Sequence, residues 1–157
     1  MKDIVKRSAR ALLFDGEGRL VLIKRTRPGQ EPYWTTAGGG IEPEDESVEA
    51  ALRREVSEEL GGRIERVRQV LLLTEEVPGG VRLQYVFVAR LVSMDLSART
   101  GPEFDDPGRG TYDVVRVPAT RDALATVRLL PPSLAEFVRD DLHGLVALLE
   151  HEDGRTS

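Results

Sequence analysis

Three glutamates between residues 55 and 59 have the spacing of a metal site on a helix. Glu55, Glu58 and Glu59 fall at i, i+3 and i+4, which places their carboxylates side by side on a helical surface. Like charges so close repel one another, and partial burial raises that cost. A divalent cation is the simplest compensation, and carboxylate oxygens favour Mg²⁺ or Mn²⁺ over zinc. Arg54 precedes Glu58 by four residues and can orient it through an ion pair.

The position of these acids on a helical wheel favours a site over a solvated acidic surface. Residues 48–60 are rich in Ala, Leu, Glu and Arg, which form helices readily. At about 100° per residue, Glu55 and Glu59 continue the apolar stripe that contains Leu52 and Val56 rather than opposing it. A surface helix that is merely acidic remains the alternative, and the shared face makes it less favoured.

Residues 40–62 resemble the Nudix box, G-x5-E-x7-R-E-U-x-E-E-x-G-U, where U is a bulky aliphatic residue. The matching positions are Gly40, Glu46, Arg54, Glu55, Val56, Glu58, Glu59 and Gly61. Gly62 departs from the pattern because it is not aliphatic. The loop before Glu46 is one residue longer than the commoner form, so either Gly39 or Gly40 can supply the glycine carbonyl that faces a metal.

The resemblance implies a fold, an activity and a set of roles. The fold is a Nudix-like α/β/α sandwich with a mixed central sheet. The activity is metal-dependent hydrolysis of the diphosphate linkage of a nucleoside diphosphate linked to another group. Glu55 and Glu59 would be the principal ligands of Mg²⁺ or Mn²⁺, with Glu58 supporting them and Glu46 completing the acidic cluster. A carbonyl of the glycine run, from Gly39 or Gly40, would add an oxygen ligand.

The resemblance leaves the general base open. It is either a glutamate of the box, Glu55 or Glu58, or an acid from a later loop. Glu103, Asp105 and Asp106 lie in such a loop, and Asp106 is the favoured candidate. For each of these acids taken alone, a solvated loop acid is the favoured interpretation. Arg54 would act by orienting the glutamates through charge-assisted hydrogen bonds.

Basic and aromatic residues upstream of the box are candidates for substrate binding. Arg25 and Arg27, with Lys24, can hold phosphates, although a solvated basic turn explains them equally well. Trp34 and Tyr33 can stack on a base, although a Trp in such a position is more often part of a core. The substrate stays open among nucleoside triphosphates, ADP-ribose and nucleotide sugars.

Strands on both sides of the helix must position these residues. Ser47 predicts the N-cap of the helix and Gly61 its end. Pro78-Gly79-Gly80 predicts a tight hairpin turn. The order is a mixed α/β (α+β) arrangement rather than repeated βαβ units. The predicted elements are strands at 5–15, 20–23 and 34–37, a helix at 48–60, strands at 64–77 and 81–92, a long loop at 93–110, a strand at 111–117, a short helix within 118–127 and a final helix from 131 onward.

Composition bounds the remaining possibilities. The chain has 157 residues, which predicts one domain over residues 1–150 and a polar tail over 151–157. It has no Cys and two His, which excludes disulfides, thiolate catalysis and zinc held by several such residues. A net charge of −5 argues against nucleic-acid binding, and no apolar run is long enough to span a membrane. We therefore expect a cytoplasmic protein with a small-molecule nucleotide substrate, and a homodimer is one expected assembly because Nudix enzymes are often dimers.

Two other functions compete with the hydrolase. The first is a catalytically silent Nudix-like domain that binds nucleotides or regulates, but its usual mark is loss of a box glutamate, and none is lost here. The second is an isomerase acting on a prenyl diphosphate, which would need a reactive Cys. The sequence therefore favours the metal-dependent pyrophosphohydrolase.

Overall fold

A mixed seven-stranded sheet is the centre of the computed structural model, which describes residues 2–100 and 107–151. In chain order the strands are β1 (Ile4–Phe14), β2 (Leu20–Thr26), β3 (Tyr33–Thr35), β4 (Ala37–Gly40), β5 (Arg63–Val77), β6 (Gly80–Ser93) and β7 (Thr111–Val117). The main path of the sheet runs β3-β2-β1-β6-β5, with β4 paired to β1 and β7 paired to β2. The pair β1–β6 is parallel and the other pairs are antiparallel.

Helices cover both faces of this sheet. Helix α1 (Val48–Leu60) lies on one face, and α3 (Pro132–Asp140) and α4 (Leu142–Glu150) lie on the other. A short helix α2 (Arg121–Leu124) precedes α3. No helix within residues 2–100 and 107–151 has both the length and the apolar content to cross a membrane. The predicted sandwich with a mixed central sheet is confirmed.

Alternation along β1 divides the interior into two cores. Ala9, Ala11 and Leu13 join the core under α1, whereas Leu12 and Phe14 join the core under α3 and α4. This follows from the period of two in a strand, which turns successive side chains to opposite faces. The strand thus lies between the two helical layers and contributes to both.

Most predicted elements are present, with two differences. The strand predicted at 34–37 is two strands, β3 and β4, because the glycine run itself pairs with β1. The final helix is two helices that meet at Asp141, whose backbone (φ −113°, ψ 19°) departs from helical values. Leu142, Leu145 and Leu149 of α4 still face the same core as α3. The apolar pattern therefore predicted the buried face, and no Gly or Pro at this point signalled the break.

A buried carboxylate fixes the turn between β1 and β2. Asp15 accepts hydrogen bonds from the backbone N–H groups of Glu17 and Arg19, both at 2.9 Å. It also accepts from Arg19 Nε at 3.0 Å and from Arg116 Nη1 at 2.7 Å. Burial alone would raise the pKa of Asp15, but these hydrogen bonds outweigh it and lower the pKa below its usual value.

Candidate active site

Local capping fixes both ends of the helix that carries the glutamates. Ser47 Oγ accepts from the N–H of Ala50 at 3.0 Å, as expected of an N-cap. Gly61 ends the helix in a left-handed conformation with φ 58°, and a Cβ there would lie 1.9 Å from the carbonyl oxygen of Asp95. Only glycine fits both demands. The helix predicted at 48–60 is confirmed.

Arg54 joins two of the box glutamates. Its Nη1 donates to Glu55 Oε1 at 3.1 Å and lies 3.3 Å from Glu58 Oε2. The side chain of Glu55 is only 14% exposed, whereas that of Glu58 is 42% exposed. One guanidinium therefore holds a half-buried and a more exposed carboxylate on the same face of α1, and the catalytic role of Arg54 stays a prediction.

The same arginine binds the loop that follows β4. Arg54 Nε donates to Asp45 Oδ1 and Nη2 donates to Asp45 Oδ2, both at 2.9 Å. Nη2 also donates to the carbonyl of Gly40 at 3.0 Å. Glu46, the acid at the box position, is exposed and makes no hydrogen bond to Arg54. The extra residue in the loop therefore brings Asp45 to Arg54, and Asp45 is a residue that sequence reasoning missed.

The glycine run packs directly against the glutamates. A Cβ on Gly39 would lie 2.6 Å from the carboxyl carbon of Glu55, so a larger residue would displace that side chain. The N–H of Gly38 donates to Glu59 Oε1 at 2.6 Å. Gly38 has φ 142°, and a Cβ there would meet the carbonyl of Ala9 at 2.1 Å. The glycines thus allow β4 and α1 to approach closely.

Strand pairing decides where the glycine carbonyls point. The N–H of Ile41 donates to the carbonyl of Arg7, so these two residues form a hydrogen-bonded pair, and the next two pairs are Gly40 with Ser8 and Gly39 with Ala9. Hydrogen-bonded pairs alternate with non-bonded pairs in an antiparallel ladder. The backbone groups of Gly39 therefore point toward β1, and those of Gly40 point away from it. The Gly40 oxygen faces Arg54 and keeps a second lone pair. Both glycines stay predicted metal ligands, and this geometry favours Gly40.

The electrostatics of the cluster differ between its acids. Burial raises the pKa of Glu55, the hydrogen bond from Arg54 opposes that rise, and the neighbouring charge of Glu58 adds to it. Hydrogen bonds from Arg54 lower the pKa of Asp45 to about 2. The bond to Asp45 raises the pKa of Arg54, which keeps the guanidinium charged. A buried carboxylate beside a second one is a ready ligand for a cation.

A family model for the NUDIX domain matches residues 5–130. The chain belongs to the Nudix family. The nucleoside triphosphatase NudI of Escherichia coli O1:K1 is 51% identical over 71 residues, which cover 42% of this chain and 43% of that relative. NudI of Escherichia coli K12 gives the same values. The match therefore spans less than half the length of these curated relatives.

Solved structures agree with this Nudix fold over most of the chain. A NUDIX hydrolase from Nitrosomonas europaea has a TM-score of 0.67 at 19% identity and covers 96% of this chain and 99% of its own. The NUDIX domain of Shewanella oneidensis NrtR, in complex with ADP ribose, has a TM-score of 0.64 at 18% identity, with 90% of each chain covered. At these identities the likeness concerns the fold.

The oxygen donors of this Nudix box suit a hard cation. Carboxylates of Glu55, Glu58 and Glu59 and a glycine carbonyl are the ligand types that Mg²⁺ and Mn²⁺ prefer. Burial disfavours the charged form of Glu55 and thereby raises its pKa. A bound cation would neutralise that charge. Over residues 2–100 and 107–151, no three acidic or histidine side chains already converge on one point. The donor chemistry fits the ion, and metal binding stays a prediction.

Arg25, predicted as a substrate contact, has protein partners instead. It is 9% exposed, and its guanidinium lies 3.6 Å from the ring centre of Tyr112. Nη2 donates to the carbonyl of Arg109 at 2.6 Å and Nε to that of Thr111 at 3.3 Å. This geometry favours a structural role for Arg25, whose hydrogen bonds hold the start of β7 on β2. The substrate role of Arg25 stays a prediction.

The other predicted substrate contacts, Arg27 and Trp34, are half-buried. Trp34 packs against the core under α3 and α4, and Lys24 Nζ lies 5.5 Å from its ring centre. This position agrees with the alternative that the Trp belongs to a core. No geometry places either side chain at the glutamates, so their contact with substrate stays a prediction.

The long loop between β6 and β7 is hydrogen-bonded to the last turn of α1. The N–H of Thr100 donates to the carbonyl of Glu58 at 2.9 Å, and Arg99 Nε donates to that of Glu59 at 2.7 Å. Arg99 Nη2 also donates to the carbonyl of Tyr112 at 3.1 Å. Asp106, with Glu103 and Asp105, lies outside the described residues, so its role as general base stays a prediction. Arg99 is a second residue that sequence reasoning missed.

Proposed function

We propose that this Nudix domain hydrolyses the diphosphate linkage of a nucleoside diphosphate linked to another group, with Mg²⁺ or Mn²⁺ as cofactor. Water adds to one phosphorus, and the bridging oxygen leaves with the other phosphoryl group. The observation that carries this proposal is the glutamate face of α1, packed on the glycine run and held there by Arg54. All three glutamates of the box are present, which favours catalysis over silent binding.

The site residues have three proposed roles, which are to bind the ion, to orient its ligands and to accept a proton. Glu55, Glu58 and Glu59, with the Gly40 carbonyl, would hold the ion, which supplies charge neutralisation and polarisation of the P–O bond when bound. Arg54 fixes the directions of Glu55 and Glu58 and connects them to the loop through Asp45. The proton from the attacking water would pass to a box glutamate or to Asp106.

A nucleoside triphosphate is the substrate that we favour within this class. The support is the local identity with proteins named nucleoside triphosphatase NudI. Cleavage of the bridge between the α- and β-phosphates of a triphosphate would give a nucleoside monophosphate and pyrophosphate, whether water attacks the α-phosphorus and pyrophosphate leaves or attacks the β-phosphorus and the monophosphate leaves. ADP-ribose and nucleotide sugars carry the same linkage and are the other candidates.

We infer one Nudix domain over residues 1–150, a cytoplasmic location and a homodimer. Size-exclusion chromatography with light scattering tests the assembly, and limited proteolysis tests the domain boundary.

A substrate panel tests the proposal. The purified protein is incubated with Mg²⁺, and separately with Mn²⁺, and with canonical and 8-oxo nucleoside triphosphates, ADP-ribose, nucleotide sugars, NADH and diadenosine polyphosphates. We expect metal-dependent cleavage of a triphosphate, and ¹⁸O-labelled water identifies the attacked phosphorus. Tight nucleotide binding without cleavage of any substrate would instead support the silent binding domain.

A further inference from the structure

Arg10 lies beneath the glycine run, on the face of the sheet opposite to α1. In β1 it falls between Ala9 and Ala11, which face α1, so its side chain projects to the other side. Its Nη1 donates to the carbonyls of Thr36 and Gly38, both at 3.2 Å. The guanidinium is therefore fixed at the corner between β3 and β4, next to the glycines that contact Glu55 and Glu59.

The same side chain lines a cavity of about 340 Å³ on that face. Arg82 and Gln84 of β6 also line it, and Leu130 contributes apolar surface. Among the described residues, no carboxylate lines this cavity, and the charge of Arg82 is paired with Glu75, so Arg10 is the unpaired cation among its lining residues. Such a lining suits an anionic group better than a cation or a purely apolar one.

Arg10 connects this cavity with the acidic cluster. Its Nη1 donates to the carbonyl of Gly38 at 3.2 Å, and the N–H of the same glycine donates to Glu59 Oε1 at 2.6 Å. Within the described residues, Nη1 of Arg10 donates to protein acceptors and its Nε and Nη2 do not. These two nitrogens can therefore donate to a ligand. Two adjacent N–H groups on a fixed planar guanidinium match two oxygens of a phosphate.

We propose that Arg10 binds the phosphate chain of the substrate, with its nucleoside side toward the cavity and its scissile linkage toward the glutamates. The inference rests on the proposed function and adds a substrate-binding residue outside the Nudix box. The hydrogen bonds of Nη1 to Thr36 and Gly38 set the plane of the guanidinium before substrate arrives. A lysine at this position keeps the charge and loses the two-point contact.

Binding of imidodiphosphate tests Arg10 without turnover, because nitrogen replaces the bridging oxygen of pyrophosphate. Isothermal titration calorimetry in the presence of Mg²⁺ gives the affinity for imidodiphosphate of the wild type, Arg10→Gln and Arg10→Lys. Arg121→Gln is the control, because the side chain of Arg121 is 68% exposed. We expect Arg10→Gln to weaken binding by about tenfold or more, Arg10→Lys to fall between, and the control to match the wild type. Absence of binding to the wild type, or equal binding by Arg10→Gln, would overturn the inference.

A second measurement separates substrate binding from a structural role of Arg10. Electron paramagnetic resonance gives the affinity for Mn²⁺, which should stay within about twofold of wild type in Arg10→Gln because the glutamates are unchanged. A parallel loss of Mn²⁺ and imidodiphosphate affinity would show that the variant displaces β4, and the inference would fail. Failure of the proposed function is a different result: the wild type would bind imidodiphosphate and cleave no nucleotide.

Discussion

Arg54 and Asp45 form a two-point ion pair that connects the glutamate helix to the loop after β4. Nε and Nη2 of the arginine donate to the two carboxylate oxygens, each at 2.9 Å. The side chain of Asp45 is only 8% exposed. Because the third arginine nitrogen reaches Glu55 and Glu58, this pair fixes the guanidinium that orients both glutamates.

Exchange of Asp45 tests the importance of this pair. We expect Asp45→Asn to lower kcat/KM by about tenfold or more, since groups that orient metal ligands typically carry effects of that size. Glu46→Gln is the matched control, because Glu46 is the next residue and is exposed. Steady-state kinetics on both variants decides the matter. A larger loss in Glu46→Gln than in Asp45→Asn would restore the box position as the partner of Arg54.

Glu55 should lower the stability of the metal-free protein at neutral pH. Burial raises its folded pKa above the usual value of 4.5, so the unfolded chain loses the proton at lower pH than the folded one. Stability therefore falls as pH rises from 4.5 through the folded pKa. We expect Glu55→Gln to be more stable than wild type by about 1 kcal/mol at pH 7 in EDTA, and equally stable at pH 4.

Urea denaturation at the two pH values measures this difference. Glu49→Gln is the control, since Glu49 lies on the same helix with a side chain that is 48% exposed. Saturating Mg²⁺ should stabilise the wild type more than Glu55→Gln, because the ion binds only the folded state. A Glu55→Gln protein that is less stable than wild type at pH 7 without metal would contradict this account.

Asp15 should stabilise the fold without affecting catalysis. We expect Asp15→Asn to lower the free energy of unfolding by about 1–3 kcal/mol, because Arg116 and Arg19 lose a charged acceptor. The pKa of Asp15 is lowered in the folded state, so its contribution is present above 3.8 and is lost as pH falls through the folded pKa.

Thermal and urea unfolding of Asp15→Asn measure this loss, and kcat/KM of the folded variant should match wild type. Asp140→Asn is the control, because Asp140 is 57% exposed and lies 3.7 Å from its arginine. A loss of stability in Asp15→Asn no larger than that of the control would show that the network contributes little.

Exchange of Arg25 distinguishes a structural role of this residue from a role in substrate binding. We expect Arg25→Gln to lower the free energy of unfolding by about 2 kcal/mol, because two backbone carbonyls lose a charged donor. KM should change by less than about twofold, as no substrate contact is lost. Chemical denaturation and kinetics are measured together, with Arg27→Gln for comparison. A rise in KM without loss of stability would establish Arg25 as the substrate contact that the sequence predicted.

Local signals predicted the parts of the site that lie within one element. Ser47 and Gly61 marked the ends of α1, and the i, i+3, i+4 spacing placed Glu55, Glu58 and Glu59 on one face. These inferences need only helical geometry, which depends on neighbouring residues. The box spacing adds the glycine run, whose role is explained by the contact of Gly39 with Glu55.

Contacts between distant elements account for what the sequence could not predict. Arg10 reaches the glycine run because β1 pairs with β4 in one particular register, which no local pattern specifies. Asp45 reaches Arg54 because one extra residue changes which acid faces the helix. Arg25 resembled an exposed basic residue in sequence, yet it is buried on Tyr112 because β7 pairs with β2.

Metal-dependent hydrolysis in two single-site variants of α1 decides whether the glutamate face of this helix binds a catalytic cation. Release of product from the preferred nucleoside triphosphate is followed as Mg²⁺ is raised from zero in wild type, Glu59→Gln and Glu49→Gln. We predict that wild type and Glu49→Gln need Mg²⁺ and agree within about twofold, whereas Glu59→Gln loses at least about 100-fold in kcat/KM. Undiminished hydrolysis in EDTA, or a Glu59→Gln protein as active as wild type, would show that this face of α1 does not bind the catalytic cation.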